Sequence, residues 1–141
     1  MSMNNRVRPT PHTLPELAEG DPRRYQMNMD WVWSTENNRG LTKQATVLAT
    51  VSTSAMDQLK GRFDAWTEYL HGPDDEDRFV HGGWFCQRVQ VDAGQLVLLF
   101  GSGGQDVAES LDYGIQWFSG AVLGAIPDTT VVWQELPLTS D

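Results

Sequence analysis

Between Tyr25 and Trp33, large apolar side chains occupy alternate positions: Tyr25, Met27, Met29, Trp31 and Trp33. Gln26, Asn28 and Asp30 fill the gaps, and Val32 is the one exception. Successive side chains of a strand point to opposite faces, so this alternation predicts a strand over 25–34 with one bulky apolar face. Five such residues either fill a core or project from an open sheet face to meet a second subunit or a ligand.

Gly40 ends a stretch of turn formers, and Gln44–Ser52 then alternates again, with Ala45, Val47, Ala49 and Val51 on one face. The two segments predict an antiparallel hairpin with Trp31 and Trp33 on a shared face. Ser54 is a candidate helix cap, and Met56, Leu59, Phe63, Trp66 and Leu70 follow at spacings of three and four. That spacing makes one apolar stripe along a helix, with Asp57, Lys60, Arg62, Asp64 and Glu68 off it. Trp84–Val91 reads as a strand and Asp92-Ala93-Gly94 as a tight turn. Gln95–Phe100 is apolar on both faces, which predicts a central strand. A second helix is expected from about 105 to 123 on the stripe Val107, Leu111, Ile115, Phe118 and Val122, and a last strand over 129–136.

The predicted order is β-β-α-β-β-α-β. The class is α+β: an antiparallel sheet with two helices on one face, ferredoxin-like β-α-β-β-α-β from Gln44 onward, preceded by an extra N-terminal strand. The helices leave the other sheet face uncovered. Val97 and Leu99 on a central strand should not face water, so the open face is expected to meet a second subunit in a homodimer. Residues 1–24 hold four of the seven prolines and show no apolar period, which predicts an extended or disordered N-terminal arm before a single domain at 25–141. Removing residues 1–20 should then leave the melting temperature within a few degrees.

At 141 residues the chain can bury a core without staples, and its single cysteine, Cys86, excludes an internal disulfide and fits the reducing cytoplasm. No apolar stretch approaches the roughly 20 residues that span a bilayer, and no apolar region follows the basic start as in a secretory signal. The net charge of −9 would repel nucleic acid and anionic membranes and would attract a basic protein.

Motifs for chemistry are thin. Gly101-Ser102-Gly103-Gly104 matches neither G-x-G-x-x-G nor a phosphate-binding loop with its Lys, so a turn with Ser102 as helix cap is expected. His71, His81, Cys86 and the acidic run Asp74-Asp75-Glu76-Asp77 lack zinc-ligand or EF-hand spacing, and neither metal nor cofactor is expected. Cys86 lies among large apolar neighbours, where a lone thiol is inert. Asp30 or Glu135 would acquire a raised pKa if a buried sheet face held it. No catalytic residue is assigned.

Two functional readings follow. The first is a small acidic cytoplasmic binding protein, of the inhibitor or immunity type, for a basic protein. Asp74, Asp75, Glu76 and Asp77 would steer that partner and Trp84 would anchor it. The second is a dimeric sandwich that binds or transforms a small apolar ligand. Its pocket would be lined by Trp31, Trp33 and Trp133, with His81 fixing the ligand.

Overall fold

Ala45, Val47, Ala49 and Val51 alternate with partly exposed neighbours, and this pattern builds the longest of the described strands, β1 (Gln44–Thr53). The computed structural model describes residues 15–32, 44–103 and 107–137. Ahead of β1 lies a single helical turn, α1 (Met29–Val32); after it come α2 (Met56–Thr67), β2 (Arg78–His81), β3 (Trp84–Val91), β4 (Gln95–Gly103), α3 (Val107–Ala121), a 3₁₀ turn at Leu123–Ala125, and β5 (Thr129–Glu135). The protein is α+β. The five strands among the described residues form one antiparallel sheet in the order β2-β3-β4-β1-β5.

The alternation sorts the sheet into two faces. Ala45, Val47, Ala49, Val51, Leu96, Leu98 and Phe100 are buried under the two main helices. Phe63 of α2 meets Phe79 and Phe118, and Phe118 of α3 meets Phe100, so both helices cover this face. The predicted stripe of α2 is the one that is buried, from Met56 through Phe63 to Trp66. Ala55, not Ser54, precedes the helix, and the Ser54 hydroxyl bonds the Asp128 carboxylate instead.

The strand predicted over 25–34 does not form in its described part. Residues 25–28 are irregular and Met29–Val32 is helical; Trp33 and Ser34 lie outside the described residues. Two physical causes are visible. The Asn28 carboxamide accepts hydrogen bonds from the backbone N–H groups of Asp30 and Trp31, a local cap that competes with extended backbone. In addition, both edges of β1 are already taken, one by β4 and the other by β5, so no place remains for a hairpin partner.

The short edge strand β2 was not anticipated. Gly82 and Gly83 adopt φ of 50° and 92° between β2 and β3, the positive values a two-residue hairpin turn requires. That pair of glycines was its signal in the sequence.

Residues 15–24 are irregular, yet they are not a loose arm. Leu17 is 5% exposed and belongs to the core. The Arg23 guanidinium donates to the carbonyls of Leu123 and Ile126 at 2.8 and 3.1 Å and to Thr129 Oγ1 at 2.7 Å. The same carbonyls accept from the Ile126 backbone N–H and the Thr129 hydroxyl, so Arg23 ties residues 15–24 to a turn already closed on itself. Arg24 bonds the Leu17 carbonyl, and the Trp133 indole N–H donates to the Arg23 carbonyl at 2.9 Å.

This docking has an acid limit. Arg23 donates to both Asp21 carboxylate oxygens, at 3.0 and 2.8 Å, and with the Arg23 backbone N–H it lowers the Asp21 pKa from 3.8 to about 2. A folded value below the unfolded one means stability that is present above about pH 4 and lost as pH falls toward 2. The stability gap between the wild type and Asp21→Asn should therefore stay constant above pH 5 and close near pH 2. Urea titrations followed by Trp fluorescence will measure it.

Candidate functional site

The face of the sheet away from the helices has no cover among the described residues. Register places Leu48 of β1 beside Leu99 of β4, with Gln134 of β5 on one side and Gln87 of β3 on the other. The next row sets Val97 beside Thr50 and Thr50 beside Val132, which is 66% exposed. Toward the other end, the Phe85 ring lies across Gly101, where a Cβ would come within 2.4 Å of it. The Arg78 guanidinium sits 4.8 Å over the Phe85 ring. The described strand residues that point to this side include no Asp or Glu, although the chain holds 19.

The acidic loop is placed differently from the expectation. Asp74 accepts from the backbone N–H groups of Glu76 and Arg78 at 2.8 and 3.0 Å, and these bonds lower its pKa. Glu76 pairs with Arg78 at 3.3 Å and Asp77 with Arg88 at 3.2 Å. Much of the loop's charge is therefore answered within the protein; Asp75 is exposed. Trp84 is 2% exposed and stacks on Trp66 with ring centres 5.9 Å apart. It fills the core and cannot stand out as an anchor. Asp74 and Trp84 do share the wall of one depression of about 200 Å³, together with Arg78 and Ser102.

The residues expected to line an apolar pocket are not gathered. Trp133 packs on Tyr25 and Phe100, and the Trp31 indole donates to the Leu136 carbonyl, both at the β5 edge of the sheet. His81 lies at the opposite edge on β2, with ring centres 5.8 Å from Trp84 and 5.1 Å from Trp117. Trp33 lies outside the described residues. His81 instead borders a depression of about 360 Å³ with Trp84, Glu109, Ser110 and Tyr113. Tyr113 and Trp117 were missed in the sequence because they flank the α3 stripe and do not belong to it.

Titratable groups follow packing. Complete burial pushes the Cys86 thiol well up, against a weaker opposing pull from Arg88. Burial, then the Glu135 carboxylate, raises the Tyr25 phenol far above its ordinary range. Tyr25 O–H donates to Glu135, which also accepts from the Asn28 backbone N–H at 2.9 Å. Asp30 is exposed. Ser102 does not cap α3: β4 runs on to Gly103, and the hydroxyl donates to the Gly83 carbonyl at 3.0 Å. Among the described residues no group of three His, Cys, Asp or Glu side chains is arranged to hold a metal, and no helix is long and apolar enough to cross a membrane. In comparisons with known proteins, no family model matches the chain, and neither a curated protein nor a solved structure shows significant similarity to it.

Proposed function

We propose that this chain is a non-catalytic protein-binding domain that docks its partner on the open sheet face. The topology we assign is ferredoxin-like, with β2 as an added edge strand in place of the expected N-terminal one. The carrying observation is the row Gln87, Leu99, Leu48 and Gln134, an apolar centre flanked by carboxamides on a sheet face that no described residue covers. Apolar area in the middle and neutral polar groups at the sides is the anatomy of a protein interface. The acidic loop supports the reading less, because Arg78 and Arg88 already answer its charge. The net charge of −9 does not select the contact, because the described strands present no Asp or Glu on this face.

Capture from a host extract tests this on three immobilised proteins: the wild type, Leu99→Arg, and a loop variant with Asp74, Asp75 and Asp77 changed to Asn and Glu76 to Gln. The expected result is a protein retained by the wild type and by the loop variant, with the same salt dependence, and lost on Leu99→Arg. Retention by Leu99→Arg with loss on the loop variant would move the site to the loop and overturn the reading.

A further inference from the structure

The occupant of the open face can be named from its charge, its size and its pattern. We infer that it is the same face of a second copy of this chain, so that the protein is a homodimer formed sheet on sheet. The inference rests on the reading that this face binds protein, and it specifies the partner.

Charge is the first argument. Two copies of a chain with net charge −9 repel, and any face carrying carboxylates would bring like charges together on pairing. The open face is where the described strands present none. Its charged side chain is Arg78, at the β2 edge, occupied by Glu76 and the Phe85 ring. Self-association through this face therefore opposes no carboxylate to another.

Size is the second. On a twofold axis along the β1/β4 seam, four strands ~4.8 Å apart overlap over about three rows ~6.8 Å apart, a flat patch on the order of 400 Å² per copy. Two copies bury about 800 Å² before side-chain relief is counted, the size of a small interface, so the dimer is a weak one with dissociation in the micromolar range.

Pattern is the third. A twofold contact must be self-complementary. With the axis along the seam between β1 and β4, Leu99 faces the partner's Leu48, and Gln87 faces the partner's Gln134. In this central row apolar side chains meet apolar ones and carboxamides meet carboxamides, which can hydrogen-bond each other; in the next row Val97 faces the partner's Thr50 and Gln90 the partner's Val132. Sheets packed this way keep their strands within about 30° of parallel, a twist that preserves the central pairing.

Sedimentation velocity on the full chain from 1 to 100 µM tests the proposal. The wild type should sediment as a dimer at 100 µM, and Leu99→Arg should weaken dimerisation at least ~30-fold by burying an unpaired charge. Tyr69→Ser, on the helix side, should leave the dimer intact. Leu48→Lys and Leu99→Glu should each be monomeric, and an equimolar mixture should recover a dimer, because the seam axis sets residue 48 of one copy against residue 99 of the other. A wild type that is monomeric at 100 µM would overturn the inference, as would a dimer unaffected by Leu99→Arg or a Leu48→Lys and Leu99→Glu mixture that stays monomeric. A monomeric wild type that still loses a captured protein on Leu99→Arg would overturn the second-copy assignment alone and leave the protein-binding reading in place.

Discussion

Phe63→Ala should lower unfolding stability by about 3–5 kcal/mol, the usual cost of truncating a fully buried aromatic. Phe63 is 1% exposed, at the middle of the α2 stripe, and its ring meets Trp66, Phe79 and Phe118. Removing the ring leaves a cavity bordered by two helices and the sheet, a site with little room to collapse. Trp66→Ala should cost a similar amount. Trp66→Phe should cost less than about 1.5 kcal/mol, because the buried Trp66 indole N–H has no hydrogen-bond partner among the described residues. Phe keeps an aromatic ring and removes that unsatisfied donor. Urea midpoints at an unchanged m-value will measure all three. A near-neutral Phe63→Ala would mean that the α2 stripe serves a partner and not the core.

Unseating residues 15–24 should have the second large effect. Leu17 is a core residue, and Leu17→Ala should cost about 2–4 kcal/mol. Gly120→Val should do comparable damage by another route. A Cβ at Gly120 would lie 2.0 Å from the Pro15 carbonyl oxygen and 2.6 Å from the Glu16 nitrogen. Those are backbone atoms and cannot swing aside, so the segment must lift off α3, taking Leu17 and the Arg23 hydrogen bonds with it. Trypsin should then cut rapidly after Arg23 and Arg24 in Gly120→Val and slowly in the wild type. By the same argument, removal of residues 1–20 should lower the melting temperature by about ten degrees, not the few expected of a free arm. Slow cleavage of Gly120→Val would show that the segment tolerates the displacement.

The helices were legible because a stripe at spacings of three and four survives any arrangement of neighbours. Phe63, Trp66, Leu111, Ile115 and Phe118 are all buried where that spacing places them. Strand β1 was legible for the matching reason at period two and β4 as an apolar run, while the four-residue β2 was too short to show a period. The alternation at 25–33 failed because period two states a possibility and does not supply an edge to pair with; β4 and β5 hold both edges of β1. Residues 15–24 failed in the opposite direction. Their prolines and lack of period describe backbone without regular structure, and say nothing of a single leucine entering the core or of Arg23 finding partners at Leu123, Ile126 and Thr129.

The candidate face was half visible. Apolar residues on both sides of Gln95–Phe100 required something over Val97 and Leu99, and that requirement comes from local pattern alone. The sequence by itself determined the α+β class, the two buried helix stripes and the apolar second side of Gln95–Phe100, all of which depend on the pattern within one element. Tertiary structure alone decided that Leu48 lies beside Leu99, that Trp84 is core, that Arg78 and Arg88 answer the acidic loop, and that His81 is remote from Trp31 and Trp133. Each of these is a contact between elements. Its existence depends on strand order and register, and those follow from how the whole chain closes its core, not from the residues next to it in sequence.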